Sequence, residues 1–341
     1  MASSARLSIG WPAAEKTGWM PGDVDMAAIT HHVTDAEREV LLELVDRWNN
    51  SGCAVTEMTR ADFSDARIDG LLDSLLNTLK TGPGLLFLSG LPYDEAAYDV
   101  RTLYWGIGTH FGRAVSQNGQ GEMIGEVKVR PDVVARRAYG HSGKLILHTD
   151  RIDMLSLFCV SKPRSGGANI FVSGLAIWDA VARERPDLLP MLERGFHQNR
   201  LTENALSGEE STPYRVPVFG REKGLRSVLF SGNAAIDHQR LFFADRLTAQ
   251  EEEALIFLTE VRDRPEFQLC NTLSLGDAVF INNHEILHSR EAFEDGEEPQ
   301  EKRKLLRLWL QGEPVRPKPE TMTVMHNPSG LQGIDPRPVA A

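Results

Sequence analysis

The feature that most limits the fold is a series of short apolar runs, each closed by glycine, proline or charged residues. Leu85-Leu86-Phe87-Leu88 follows Gly82-Pro83-Gly84 and ends at Gly90, and Met154 to Val160, Arg226 to Phe230, Ala278 to Asn282 and Leu305 to Leu310 are bounded similarly. Such runs are too short for ordinary helices and suit buried strands. Residues 121 to 129, Leu145 to Asp150 and Tyr214 to Phe219 read as further strands. Helical spacing is found in fewer places. One helix starts at Thr34 or Asp35, runs through Val40, Leu41, Leu44 and Val45 and stops near Gly52; a second spans Asp69 to Lys80 and a third 98 to 112. Two short helices share 173 to 194, split at Pro186, and a capping box of Thr248 and Glu251 opens another over 248 to 263. Many short strands with a few helices at the start and in insertions predict a mainly β fold with flanking helices, a sandwich or barrel rather than a doubly wound sheet.

Residues 1–33 read as an arm lying over the main domain, 34–313 as that domain with an insertion around 174–265, and 314–341 as an irregular, proline-rich tail. With 41% hydrophobic and 25% charged residues, the chain has ample material for a core. Its 37 Lys and Arg against 48 Asp and Glu give a net charge of -11, which repels polyphosphate and argues against a nucleic-acid partner. Cys53, Cys159 and Cys270 form no C-x-x-C pair, so neither a disulfide framework nor a zinc knuckle is indicated. The broken apolar stretch Leu7 to Pro12 is too short for a signal-peptide core, and no apolar run is long enough to span a membrane. A soluble, cytoplasmic protein with no membrane partner is the expectation, with self-association left open.

Chemistry concentrates in two places. His148-Thr149-Asp150 follows Leu145-Ile146-Leu147, and on a strand residues i and i+2 project to one face, so an imidazole and a carboxylate can converge on one ion. A distant His288 can add a third ligand. Two histidines and one carboxylate on one face of an octahedron leave three positions open, the arrangement of non-haem Fe(II) oxygenases. Near the C-terminus, Leu275-Gly276-Asp277 feeds the strand Ala278 to Asn282, Asn283 and His288-Ser289-Arg290 follow, and Arg303 and Arg307 lie four apart in a strand-like run. That spacing keeps both guanidiniums on one face, and a buried Arg suits bidentate capture of a carboxylate.

Taken in order, His148-Thr149-Asp150, the turn Ser165-Gly166-Gly167, the Gly-Asp-x-x-Phe-x-Asn-Asn strand ending at Asn283, His288-Ser289-Arg290 and the Arg303/Arg307 pair resemble the taurine dioxygenase-like family (TauD/TfdA, clavaminate synthase-like). These are Fe(II)/2-oxoglutarate-dependent oxygenases, and the likeness spans residues 80 to 312. It implies a distorted double-stranded β-helix, or jelly roll, with His148, Asp150 and His288 on iron, Arg303 on the far carboxylate of 2-oxoglutarate and Arg307 near the primary substrate. Where many relatives continue Gly-Gly-x-Thr, this chain has Asn169, whose amide can still donate a hydrogen bond to the co-substrate. Because Asp150 is present, a halogenating variant of the site is disfavoured. The implied activity consumes O2 and 2-oxoglutarate, releases succinate and CO2, and by default hydroxylates an unactivated C–H bond. Two cations in one cleft suggest a small anionic substrate such as an amino acid or a derivative.

Two other functions fit parts of the sequence. His284-Glu285-Ile286-Leu287-His288 is a literal H-E-x-x-H, the zinc metallopeptidase pattern, but that motif needs a helix and Ala278 to Ile281 before it reads as strand. A catalytically silent jelly-roll binding protein is the other. His31, His32, His110, His141, His197 and His238 have no converging partner in sequence and read mostly as surface or second-layer residues; His141 and Lys144 read as a polar loop before the metal strand. Trp105, Trp178 and Trp309 read as core aromatics.

Overall fold

Alternation along the longest strands sets the architecture. In β14 (Lys304–Gln311), Leu306, Leu308 and Leu310 enter one apolar cluster while Leu305 and Trp309 enter another. Both faces of this strand are buried, so it reads as an almost continuous apolar run. The computed structural model describes residues 9–12, 15–129, 142–198, 211–230, 247–324 and 331–334. Among them, β14 belongs to a seven-stranded sheet. Its order is β1 (Thr30–His32), β2 (Leu85–Ser89), β11 (Ala278–Asn282), β5 (Met154–Ser161), β14, with β3 (Arg113–Ala114) and β4 (Gly125–Val127) both on β14's far edge. The β1–β2 pair is parallel and the other pairs are antiparallel.

Three helices cover one face of this sheet. Val40, Leu41, Leu44 and Val45 of α1 (Asp35–Asn49), the leucines of α2 (Asp69–Thr81) and Leu103, Ile107 and Phe111 of α3 (Val100–Phe111) pack on Leu86, Phe158, Phe280 and Leu308. Thr34 caps α1, its hydroxyl accepting from Glu37 N while Glu37 accepts from Thr34 N at 2.8 Å. The other face meets a three-stranded antiparallel sheet of β10 (Leu269–Asn271), β7 (Asn169–Ser173) and β12 (Ile286–Arg290). Phe87 and Phe171 cross that interface edge to face at 5.9 Å. Behind the small sheet, Ile170, Val172 and Leu287 are covered by α4 (Gly174–Glu184), α5 (Leu189–Arg194) and α6 (Ala249–Arg262), the last opened by the Thr248–Glu251 capping box. Short pairs β6 (Ser165–Gly166) with β13 (Phe293–Glu294) and β8 (Phe219–Glu222) with β9 (Leu225–Val228) complete the ladders.

The result is helix, sheet, sheet, helix in four layers, a mixed α and β protein with several antiparallel sheets, in which helices occupy at least as much of the described chain as strands. The helices lie where the sequence places them, so the expectation of a mainly β chain fails on the strands, several of whose ladders are shorter than the runs that predict them. Three expected strands shrink. Residues 121 to 129 hold only β4, Leu145 to Asp150 forms a single bridge at His148, and between Tyr214 and Phe219 only Val216 bridges before β8 begins. Asn169, which follows the Ser165-Gly166-Gly167 turn, opens β7. Within the arm, β1 adds an edge strand to the large sheet; in the tail, Arg316 is fully buried. No described helix is long and apolar enough to cross a membrane.

Candidate metal centre

His288 sits on β12, the small sheet's edge strand, facing His148 in an antiparallel bridge. His148 N donates to His288 O at 3.1 Å and His288 N to His148 O at 2.8 Å, while Leu145 N donates to Arg290 O at 2.9 Å. The expected extended segment is therefore present as a loosely paired border of the small sheet. Beyond it, Thr149 is tied to Phe230, Thr149 N donating to its carbonyl at 2.8 Å and Phe230 N to Thr149 Oγ1 at 2.9 Å. Asp150 N donates to Asn283 Oδ1 at 3.2 Å. These bonds turn Asp150 toward the large sheet, where Trp309 Nε1 donates to Asp150 Oδ2 at 2.8 Å and Arg307 Nη1 lies 3.8 Å from the same oxygen.

The ligand atoms of His148, Asp150 and His288 lie within 4.8 Å of one another. His148 Nε2 is 3.8 Å from Asp150 Oδ1, and the two imidazole centroids are 4.5 Å apart. His148 Nδ1 donates to Ile146 O at 2.8 Å, which fixes the tautomer and leaves Nε2 as the lone-pair donor. Burial, aided by the charge of His148, pushes the His288 pKa down to about 3, so its imidazole is neutral at ordinary pH. Burial alone would raise Asp150, but Arg307, the two histidines and the Trp309 N–H outweigh it and hold the carboxyl below its usual range. Two imidazoles and one carboxylate held ionised are a donor set that suits divalent iron, so the residues present fit the metal.

The other expected site residues divide into two surroundings. Arg303 and Asn169, both buried, line a cleft of about 340 Å³ with Cys159, Gly167, Thr272 and Leu305. The turn into it needs Gly166 and Gly167, at φ +75° and +78°, and an added Cβ on Gly167 would come 3.5 Å from Arg303 Nε. Arg303 Nη1 has no hydrogen-bond partner among the described residues, and its guanidinium lies over Phe293 at 5.3 Å. Desolvation, then the charge of Arg290, brings its pKa down to about 10, which leaves it charged at neutral pH. Arg307 belongs instead to the metal centre. Its Nε donates to Gln117 Oε1 at 2.6 Å, Gln117 Nε2 donates back to Arg307 O at 2.8 Å, and its guanidinium covers the Trp309 ring at 5.1 Å. Arg303 stands one residue before β14 and the ladder slips between Lys304 and Leu305, so four-residue spacing alone does not place both cations together.

The H-E-x-x-H reading fails on geometry. His284 lies in the turn between β11 and β12 and His288 on β12, so no helix brings them to one face. His284 Nε2 is 3.4 Å from Asp153 Oδ1, and Glu285 pairs with Lys16 at 2.7 Å and Arg316 at 3.2 Å. Trp309 proves to be more than a core aromatic, whereas Trp105 and Trp178 are core: Trp105 Nε1 donates to Met58 O at 3.1 Å and Trp178 stacks on Phe219 at 4.8 Å. His110 is no surface residue; it is buried against Phe63. Lys144 pairs with Glu291 at 2.8 Å, and His141 and His238 lie outside the described residues. Gln117, Asn283 and the second role of Trp309 were missed, since nothing in a single strand or turn signals a partner more than a hundred residues away.

Residues 52–309 match the family model for the taurine catabolism dioxygenase TauD, TfdA family. The chain belongs to that family. It is therefore an Fe(II)/2-oxoglutarate-dependent oxygenase, which removes the silent binding module as a reading. Among individual proteins, it is 27% identical to the FR-33289 synthase of Streptomyces rubellomurinus over 327 residues, covering 92% of this chain and 94% of that one. The fold is similar to that of an asparagine oxygenase solved with Fe(II), 2S,3S-3-hydroxyasparagine and succinate: TM-score 0.67 at 15% identity, over 92% of this chain and 100% of that one. It is also similar to the non-haem iron oxygenase OrfP with Fe, succinate and (3S)-hydroxy-L-Arg, at TM-score 0.60 and 14% identity, over 82% and 94% of the two chains.

Proposed function

We propose that this TauD-family enzyme hydroxylates an unactivated C–H bond of a small anionic molecule, an amino acid or a derivative, with His148, Asp150 and His288 holding the iron. The observation that carries the reading is the convergence of those three side chains within 4.8 Å; in a separate cleft lined by Asn169, the buried Arg303 keeps an N–H that finds no partner among the described residues. Bound Fe(II) would let O2 oxidise both 2-oxoglutarate, to succinate and CO2, and the substrate C–H bond, to an alcohol, with one oxygen atom going to each. Arg303 receives the carboxylate remote from the metal, a charge-assisted contact in a desolvated site, and Asn169 in the same cleft donates a further hydrogen bond. Arg307 brings positive charge within 3.8 Å of Asp150 Oδ2, which favours an anionic substrate group at the centre. That preference rests on where Arg307 lies; its internal partners include the carboxylate of Asp150 and the amide of Gln117. The asparagine oxygenase and OrfP structures are complexes with hydroxylated amino acids, which supports the substrate class. The two facing sheets are read as the halves of a distorted double-stranded β-helix, with 34–313 as the oxygenase domain.

The test is made on protein prepared without oxygen. It should bind one Fe(II) per chain and, with 2-oxoglutarate, develop the visible charge-transfer band of the chelate. Replacing His148, Asp150 or His288 by Ala should abolish the band, since each removes one of only three protein ligands, while His284→Ala should retain it. Loss of metal from His284→Ala with His148→Ala unaffected would reverse the assignment.

A further inference from the structure

The two oxygens of Asp150 have different surroundings. Oδ1 faces the imidazoles, 3.8 Å from His148 Nε2. Oδ2 faces the large sheet, accepting from Trp309 Nε1 at 2.8 Å. Arg307 Nη1, 3.8 Å from Oδ2, adds charge but is too far to direct the carboxylate through a hydrogen bond. Trp309 itself cannot swing away. It is 5% exposed, paired with Leu155 across the β14–β5 ladder, packed in the core between the sheets and covered by the Arg307 guanidinium.

A carboxylate can ligate through one oxygen or both. Ligation through both would consume one of the three positions that a chelating co-substrate and O2 need. We propose that Trp309 is a positioning residue that occupies Asp150 Oδ2 and so confines metal ligation to Oδ1. An indole N–H suits this task. It donates without accepting, does not ionise, and cannot itself become a ligand. The Asn283 contact fixes the backbone of Asp150, and the Trp309 contact fixes the rotation of its carboxylate. This inference rests on the assignment of His148, Asp150 and His288 as metal ligands.

The experiment titrates metal-free wild type, Trp309→Phe and Asp150→Ala with Co(II), following the d–d absorption bands, with thermal unfolding of each metal-free protein alongside. Phe keeps the ring in the core and deletes the N–H. Trp309→Phe should bind Co(II) about 10–100-fold more weakly, as other outer-layer partners of metal ligands do, and with altered bands, while Asp150→Ala loses specific binding. Wild-type affinity and bands in Trp309→Phe, with Asp150→Ala defective, overturn the role of Trp309 and leave the metal assignment standing. Wild-type binding by Asp150→Ala overturns the assignment itself. Should Trp309→Phe not fold, wild type labelled with 15N in its 6 tryptophans gives the answer. One indole N–H signal should be slow to exchange, shift on Zn(II) binding and vanish on Mn(II) binding. If none of the indole signals does so, the proposal falls.

Discussion

Arg303 and Arg307 show how one residue type takes two tasks from its surroundings. Arg303 is buried beside Asn169 with an N–H that finds no partner among the described residues, a costly state unless an anion enters. Its replacement by Ala should chiefly raise the KM for 2-oxoglutarate. A hydrogen bond to a charged group contributes about 1.5–3 kcal/mol, so a rise of roughly ten- to hundredfold is expected in initial-rate assays of succinate formation. An unchanged KM would move the carboxylate-binding role elsewhere. Arg307 is already held by Gln117 and leans on Asp150. Arg307→Gln should therefore act on the primary substrate, raising its KM and erasing any preference for a substrate acid over its uncharged amide. A wild type indifferent to that difference would count against an anionic substrate.

Among the elements, the turn from β11 to β12 leads into the strand of the candidate ligand His288 and holds a buried ion cluster. His284 is buried in that turn, and desolvation, only partly offset by its contact with Asp153, pushes its pKa down to about 4. Its folded value lies below the unfolded value of about 6.5. The unfolded chain therefore binds the extra proton first, so the stabilising contribution is complete above pH 6.5 and is lost as pH falls toward 4. His288, at about 3, acts in the same direction. Asp153 is held far below the usual carboxylate range by His284 and Lys318 against the opposing effect of burial, so its share is lost only below the unfolded value of about 3.9. The unfolding free energy of the metal-free protein, read from urea titrations, should thus fall between pH 7 and 4.5 by an amount on the order of a few kcal/mol. His284→Gln should show a shallower slope; an identical slope would place the pH response elsewhere.

At the scale of the whole molecule, both ends of the described chain bring cations to the loops that adjoin the candidate metal centre. Lys16 reaches Glu285 at 2.7 Å, Arg316 reaches the same carboxylate at 3.2 Å, and Lys318 reaches Asp153 at 2.6 Å. Gly312 N and Gln332 Nε2 also donate to Asp153, at 3.1 Å each. Lys318 is 4% exposed and Asp153 fully buried, so Lys318→Met leaves a carboxylate with its nearest cation removed. Breaking such a pair costs about 3–5 kcal/mol, readable as a lower denaturation midpoint. Lys144→Met, which breaks an exposed pair with Glu291, should cost about 1 kcal/mol or less. Equal effects would show that the Asp153 cluster contributes no more than surface charge.

The sequence by itself determined the pieces whose signals are local. The apolar runs of β2, β5, β11 and β14, the caps at Thr34 and Thr248, and the i, i+2 pair of His148 and Asp150 could be read because each depends on neighbours within one or two turns of chain. The choice of His288 over His284 also followed from local context, since strand before the motif excluded the helix that H-E-x-x-H needs. What only the tertiary structure decided was which distant groups meet. Strands β7, β10 and β12 show little of themselves in sequence because their partners, not their own pattern, make them strands. Trp309 lies 159 residues from Asp150, and Gln117 lies 190 from Arg307. Contacts of that span are set by ladder register and by the packing of two sheets, and a one-residue slip would turn Trp309 to the helical face. Composition and periodicity encode which face is buried, not which partner waits there, so the three candidate ligands were legible while the residues that contact them were not.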